Sequence, residues 1–286
     1  MSMPVDQTQC RIVFQKLDRQ LIKMTKKLDP TSVHKVRTYS RRVEALLQDL
    51  VPEPSRNDRK LLKLLGKLRK KAGRVRDLDV QMSNLRGLKI ASEAGQKSQL
   101  QRALAQERSK RAKSLEHSLD PEKVRGLRKR LKRAAAELEF SEGTKPMAVT
   151  MRELHELESG QRPLNEKTLH QYRIAGKRAR YVAEFAGKDP AAQQAVEQLK
   201  RMQDVIGDWH DWLKLAERAE KLFGGVRDSA LVAAMRNLTR AKFRQGIDAV
   251  VEMRASLRSN KLSSMESDSS RKAPAHQGAG LKESAA

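Results

Sequence analysis

The sequence has little of what sheet folds, disulfide folds and cysteine-bound metal sites require. It contains one cysteine, Cys10, so a disulfide framework and a cysteine-based zinc site are both excluded within the chain. Aromatic residues make up only 3% of the 286 residues, and there are 15 glycines and 9 prolines. A β-sandwich or β-barrel would need more aromatic, β-branched and turn-forming residues than this. The composition therefore favours an α-helical protein.

Membrane-directing segments are also missing from the sequence. No apolar run approaches the roughly 18–20 residues that span a bilayer. Residues 1–10 lack the basic stretch followed by an apolar stretch that marks a secretory leader. We therefore expect a cytoplasmic protein that does not bind membranes.

Positive charge is what the sequence has in excess. Lys and Arg number 60 against 35 Asp and Glu, which gives a formal net charge of +25 and an isoelectric point near 10.4. The hydrophobic fraction of 38% is low, yet too high for a wholly disordered chain. A folded chain with this excess of cations repels itself unless it binds a polyanion. The charge therefore predicts a polyanion-binding protein.

Helical periodicity runs through most of the chain. It is clearest where Leu61, Leu65, Leu68 and Val75 form an apolar stripe beside a basic face. Asp120 followed by Pro121 predicts a helix start. After residue 258 the periodicity stops, which predicts a disordered tail over 259–286. The predicted helices are about 6–28, 56–80, 92–119, 121–139, 147–158, 165–187, 190–222 and 227–258.

The chain repeats a histidine motif. Residues 32–46 (SVHKVRTYSRRVEAL) align with residues 168–182 (TLHQYRIAGKRARYV) at an offset of 136. A glycine followed four residues later by aspartate also repeats, as GRVRD and GDWHD, at an offset of 134. We therefore predict an all-α fold over 5–258, with two tandem four-helix bundles related by a pseudo-twofold. The first half is about 5–119 and the second about 120–258.

The repeated motif predicts an anion site. On a helix, His34, Arg37, Arg41 and Arg42 share a stripe about two turns long, and the second copy does the same. Like charges at this spacing destabilise an isolated helix, so two such clusters indicate a ligand rather than a solvated basic face. A Ser or Thr before each histidine predicts a helix cap there.

A third basic segment lies on the helix that follows the first motif. Residues 56–76 carry ten Lys and Arg and a single acid, Asp58. A helix of this length spans about 30 Å. The equivalent segment, 190–210, includes Glu197, Asp204 and Asp208, so we expect the more positive field around the first half.

The basic helix faces described above lack several motifs, and these absences limit which type of anion they could bind. They carry neither a Walker loop nor a nucleophile–base pair, so catalysis is not predicted. Asp208, His210 and Asp211 are interpreted as a polar network rather than a metal site. The few aromatic residues lie at helical spacings typical of packing, whereas reading of single-stranded bases needs stacking rings. The rows therefore suit phosphates alone, and a nucleic-acid- or ribosome-associated basic protein stays open as the alternative.

Over residues 5–258 these segments resemble the CHAD family, the conserved histidine α-helical domain. The resemblance rests on the two histidine motifs and on LRKKAGRVRDLDV and LKRMQDVIGDWHDW, which follow them. It implies two helical bundles that bind inorganic polyphosphate in a basic groove, and association with polyphosphate granules. It implies neither catalysis nor a cofactor.

The same resemblance implies which residues contact polyphosphate. Glu44 and Gly66 depart from the basic pattern, and we expect Lys63, Lys67 and Lys70 to supply the charge lost there. His210 stands where the family usually has Asn. The predicted polyphosphate-binding residues are His34, Arg37, Arg41, Arg42, Lys63, Lys67, Arg69, Lys70, Arg76, His170, Arg173, Lys177, Arg178, Arg180 and Lys200.

Overall fold

The structure is a computed structural model that describes residues 3–90, 94–158 and 163–270. These residues form helices and no strand, which confirms the all-α prediction. None of their helices is long and apolar enough to cross a membrane. The helices are α1 (Gln7–Lys26), α2 (Pro30–Ala45), α3 (Arg56–Gly87), α4 (Ala94–Glu116), α5 (Pro121–Ala136), α6 (Pro146–Glu158), α7 (Glu166–Ala183), α8 (Pro190–Phe223) and α9 (Ala230–Ser270).

Helices α2 and α7 carry the histidine motifs and begin in equivalent ways. Asp29 caps α2 by accepting hydrogen bonds from the backbone N–H groups of Thr31 (2.8 Å) and Ser32 (3.0 Å). Asn165, at the same offset of 136, caps α7. The predicted caps are therefore displaced, because Ser32 and Thr168 lie in the first turn and donate back to carbonyls five residues earlier. The repeat thus extends to the start of both helices.

The first core is formed mainly by α1, α2, α3 and α5, and it also includes Leu115 of α4 and Tyr181 and Val182 of α7. Val124, Leu127 and Leu131 of α5 are buried in it, because α5 packs on α1 and α3. The predicted division at about 119/120 assigns α5 to the second half, and this division stays a prediction.

The second core, in α6–α9, contains Tyr172 and Trp209, which are 2% and 1% exposed. The packing role predicted for these rings is therefore confirmed. A third core joins α3 and α4 to α8 and α9 through residues such as Leu78, Leu100 and Trp212. Because this core joins the halves, the two-bundle arrangement with its pseudo-twofold stays a prediction.

Contacts between the halves bring the repeats together. Helix α2 packs on α7, and α3 packs on α8. Four helices that carry equivalent motifs therefore surround one region of the molecule.

The last helix continues past the predicted boundary at 258 and ends at Ser270. Adding turns to an existing helix costs less than nucleating one, so an apolar stripe is not needed for this extension. The rest of the predicted disordered tail, 271–286, lies outside the described residues.

Candidate anion-binding site

Two cavities meet between the repeated helices. The central cavity, about 530 Å³, lies between the α2–α3 and α7–α8 pairs. The side cavity, about 800 Å³, lies between the same helices and α4. Both are lined by five residues that we call the shared centre: Arg37, Arg41, Asp77, Arg173 and Asp211.

Arg37 approaches α3 closely, and a glycine permits this. A Cβ atom on Gly73 would overlap Nη1 of Arg37, so any larger residue would displace the guanidinium. From this position Nη1 donates a 3.4 Å hydrogen bond to the backbone carbonyl of Arg69. The repeated glycine of the first half therefore lets an arginine lie against the neighbouring helix.

The cations around the shared centre are buried close to one another. Burial, followed by repulsion from Arg173 and Arg41, lowers the pKa of Lys177 to about 7. Burial likewise lowers the pKa values of Arg37 and Arg173, although Asp77 opposes the shift in both. These side chains lose hydration without gaining enough opposite charge, so an anion entering the cavity would be strongly attracted.

Two carboxylates lie among these cations. Burial raises the pKa of Asp211 to about 6; Asp77 and Asp208 raise it further, and Arg173 and Lys177 oppose them. Asp77 and Asp211 occupy equivalent places in the repeat, so the shared centre receives one acid from each half. An anion bound there would gain from the arginines and be opposed by the two acids.

Unused hydrogen-bond donors remain near the centre. Nε of Arg173 and Nε of Arg180 are buried and have no hydrogen-bond partner among the described residues. Buried donors are normally satisfied, and each one left unpaired costs free energy. Oxygen atoms of an anion would suit both.

Nine of the predicted site residues line the central cavity. Among them, Arg42 is held by an ion pair to Glu184 (2.6 Å) and lies 5.2 Å from the ring centroid of Tyr39 and 5.8 Å from that of Tyr181. Arg42 is thus fixed by the protein at the edge of the cavity. The nine are His34, Arg37, Arg41, Arg42, Arg76, Arg173, Lys177, Arg180 and Lys200.

Arg178 is the clearest departure from the predicted stripe. Its guanidinium pairs with Asp49 and, at 2.9 Å, with Glu153, and it lines a different cavity beside α6. One residue turns an α-helix by about 100°, so Lys177 faces the central cavity and its neighbour does not. The acids that meet it there hold Arg178 away from the repeats.

The other predicted residues are also spread over several places. Arg69 pairs with Glu44, and the ring of His170 lies 5.2 Å from that of His210. Lys70 lines the side cavity and, with Lys67, a groove described below. Lys63 lines none of the described cavities. Direct contact with polyphosphate stays a prediction for all of these residues.

Five cations that line the side cavity are absent from the prediction. Lys214, Lys221 and Arg218 follow Asp211 on α8 at spacings of three and four, a helical pattern that the sequence shows. Arg74 belongs to the basic segment 56–76. Arg111 comes from α4, whose sequence gives no comparable signal. The five are Arg74, Arg111, Lys214, Arg218 and Lys221.

The histidines near the cavities are held in the neutral form. Burial, followed by repulsion from Arg173 and His170, lowers the pKa of His210 to about 3. The pKa values of His34 and His170 are also lowered, first by burial and then by neighbouring cations.

Metal binding is a separate question for the acids and histidines of this region. Among the described residues no group of three or more His, Cys, Asp and Glu could hold a metal ion. Asp208, which the sequence placed in a polar network, forms an ion pair with Lys242 at 2.8 Å.

Fold and site together define a class: an all-helical protein whose repeated histidine–arginine helices enclose a basic cavity. The family model of the CHAD domain matches residues 9–220, so the chain belongs to the CHAD family, as its resemblance indicated. CHAD domains are associated with polyphosphate binding in general.

Solved structures show the same fold. The chain resembles the crystal structure of the CHAD domain from the plant Ricinus communis, with a TM-score of 0.65 and 18% identity, over 90% of this chain and 93% of that one. It also resembles PptA from Streptomyces chartreusis, with a TM-score of 0.66 and 14% identity, over 89% of this chain and 99% of that one. No curated protein matches the chain significantly.

Proposed function

We propose that this protein binds inorganic polyphosphate in the central and side cavities without catalysing a reaction on it. In the cell this binding would attach the protein to polyphosphate granules in the cytoplasm. The observation that carries the proposal is the convergence of buried cations from α2, α3, α7 and α8 on one shared centre.

The form of the site suits an extended ligand made of phosphates. The two cavities share five lining residues, and on this ground we propose that one chain-like anion occupies both. Arginine and lysine donors suit phosphate oxygens at every repeat of such a chain. A compact anion would use only part of this surface.

Binding of nucleic acid through its bases has less support. Trp209 and Tyr172 are buried in the second core, and Tyr181 lies under Arg180, whose Cζ is 4.8 Å from the ring centroid. These rings are therefore not free to stack on bases, as single-stranded recognition requires.

Catalysis has no support from the acids near the cations. Asp77 and Asp211 lie among arginines and lysines. These cations neutralise the carboxylate charge that would have to bind a metal ion for metal-assisted phosphoryl transfer. We therefore propose binding alone.

Titration of the full chain with polyphosphate of defined length tests the proposal. We expect binding to persist in excess duplex DNA and RNA. Arg173→Ala with Lys177→Ala should weaken binding at least about tenfold, because charge-assisted hydrogen bonds are lost. The control, Lys16→Ala with Lys129→Ala, removes two exposed lysines and should change affinity by less than about twofold.

Three results would overturn it. Equal losses in both double variants would mean that net charge alone binds the anion. Displacement of polyphosphate by equivalent RNA would favour the nucleic-acid alternative. Release of orthophosphate from polyphosphate by the pure protein would show catalysis.

A further inference from the structure

A groove of about 660 Å³ lies outside both cavities, where α3 passes the junction of α4 and α5. Its volume is large enough to hold several side chains of a partner. We call it the α3–α5 groove. It is lined by Leu64, Lys67, Leu68, Lys70, Lys71, Arg74, His117, Ser118, Leu119, Lys123, Val124 and Leu127.

The floor of the α3–α5 groove is apolar. Leu119, Val124 and Leu127 are buried side chains of the first core whose outer surfaces form this floor. Leu64 is different, because it is 40% exposed and does not pack in that core. Leu64 therefore extends the apolar floor of the groove to the protein surface.

The rim of the groove is cationic, and no acid lines it. Lys71 is used by the protein, since its Nζ donates to the carbonyl of Ser114 (3.1 Å) and to Oγ of Ser118 (2.5 Å), which ties α3 to the end of α4. Lys67, Lys70 and Arg74 form no ion pair with any described residue. These three cations of α3 are therefore available to a ligand, and Lys123, which donates to the carbonyl of His117 (3.5 Å), lines the groove from α5.

We propose that the α3–α5 groove docks an amphipathic helix of a partner protein, with leucine-like residues on one face and Glu or Asp beside them. The apolar face would cover Leu64 and the floor, and the acids would meet Lys67, Lys70 and Arg74. The α3 wall from Leu64 to Arg74 is about 15 Å long, which matches three turns of a partner helix.

Other occupants fit this groove less well. Polyphosphate has no apolar surface and would leave Leu64 and the floor uncovered. A second copy of the chain carries the same net charge of +25 and would be repelled. Of the lining residues only His117 carries a ring, and Phe, Tyr and Trp are missing from the lining, so the groove offers little on which bases could stack. Charge and apolar surface together select an acidic, amphipathic partner.

The groove would give the protein a function beyond polyphosphate binding. Lys70 and Arg74 also line the side cavity, so a docked helix would lie at the edge of the proposed polyphosphate site. The protein would then bring an acidic partner to the surface of a polyphosphate granule. Docking itself does not require polyphosphate, but the two ligands would compete for Lys70 and Arg74.

A designed peptide tests the inference on the full chain. The probe is a labelled 18-residue helix with Leu on one face and Glu on the other, compared with a scrambled isomer of identical composition. We expect fluorescence anisotropy to show tight binding of the helix and much weaker binding of the isomer. Leu64→Gln should lower peptide affinity about fivefold through lost apolar burial, and leave polyphosphate affinity unchanged.

Matched controls separate docking from misfolding and from general charge. Val251→Gln changes another exposed apolar residue, 52% exposed on α9, and should leave peptide binding unchanged. Leu64→Met keeps an apolar side chain and should bind the peptide as tightly as the wild type. Circular dichroism should show the same helix content in all variants. The inference is overturned if the isomer binds as tightly as the helix, or if Leu64→Gln has no effect. Leu64-dependent binding to anionic phospholipid vesicles but not to the peptide would assign the groove to a membrane and also overturn it.

Discussion

Lys177 is the residue whose charge should depend most on the ligand. In the free protein its pKa is about 7, against 10.5 for an ordinary lysine, because it is buried among arginines. Phosphates bound beside it would favour the ammonium form and raise this pKa. Above pH 7, polyphosphate binding should therefore take up a proton at Lys177, and affinity should fall as pH rises.

The substitution Lys177→Arg tests this coupling. Arginine keeps the positive charge and does not titrate near neutral pH, so the affinity of the variant should change little between about pH 7 and 9. Calorimetry in buffers of different ionisation enthalpy measures the proton uptake. The double variant His34→Gln, His170→Gln is the control, since any proton uptake that it loses should be lost mainly below pH 7. Absence of proton uptake by the wild type at pH 8 would refute the coupling.

The two central acids should limit affinity. Asp77 and Asp211 lie in the shared centre, where they oppose a bound anion and offset the charge of Arg37 and Arg173. The double variant Asp77→Asn, Asp211→Asn should bind polyphosphate roughly five- to tenfold more tightly. The free variant should melt at a lower temperature, because its buried arginines lose their partners.

Binding assays and thermal unfolding of this double variant give the two readouts. Asp248→Asn, an exposed change on α9, is the control and should alter neither. Weaker binding by the double variant would show instead that the acids position the arginines for the ligand.

On the scale of one helix, a substitution at Gly73 should affect the stability of the fold and the affinity for polyphosphate in opposite directions. A Cβ atom there would overlap Nη1 of Arg37, whereas a Cβ on Gly66, in the same helix, would have no atom within 4 Å. Alanine stabilises a helix by about 1 kcal/mol relative to glycine. Gly73→Ala should therefore keep or raise stability while it displaces the guanidinium and weakens polyphosphate binding roughly fivefold.

The control, Gly66→Ala, should stabilise the protein and leave affinity unchanged. Denaturant unfolding and the polyphosphate titration measure both effects. If Gly73→Ala bound polyphosphate as tightly as the wild type, the position of Arg37 against α3 would not matter to the site.

The end of α9 gives a second prediction at this scale. The last buried side chain described in this helix is Met253. Truncation after residue 260 removes no described core contact, so the melting temperature and polyphosphate affinity should change little. A fall of more than about 5 °C in the melting temperature would show that the end of the chain packs on the fold.

Helices were predictable from the sequence to different degrees. The start of α5 at Pro121 and the start of α8 at Pro190 agree with the prediction, because an aspartate cap and a proline mark each one. Helix α3 runs to Gly87 rather than 80, since Leu78 and Leu85 continue its buried face into the third core. Which helices pack together depends on contacts distant in sequence, so the place of α5 beside α1 was not predictable.

The site follows the same rule. His34, Arg37 and Arg41 were found because helical spacing and repetition place them on one face. Arg178 lines a different cavity from these three, because the acids that pair with it come from α6 and from the turn after α2, and the sequence does not show that contact. Arg111 was missed for a similar reason, since α4 reaches the side cavity only through tertiary packing.

The net charge of +25 should control the stability of the whole molecule. Part of this charge lines the cavities between the halves, so repulsion opposes the packing of α2 on α7 and α3 on α8. Salt screens such repulsion over about 10 Å at 0.1 M. The melting temperature of the free protein should therefore rise with sodium chloride concentration, unlike that of a protein held together by surface ion pairs.

Polyphosphate should stabilise the protein far more than screening can, because it binds only the folded arrangement of the four helices. At equal ionic strength, a low concentration of polyphosphate should raise the melting temperature well above the value in chloride or sulfate. Differential scanning calorimetry measures these melting temperatures. In the double variant Arg173→Ala, Lys177→Ala, polyphosphate should no longer raise the melting temperature above the value in simple salts, whereas sodium chloride should still raise it. If chloride, sulfate and polyphosphate raised the melting temperature equally, the cavities would not distinguish a phosphate chain from simple ions, and screening alone would explain the stabilisation.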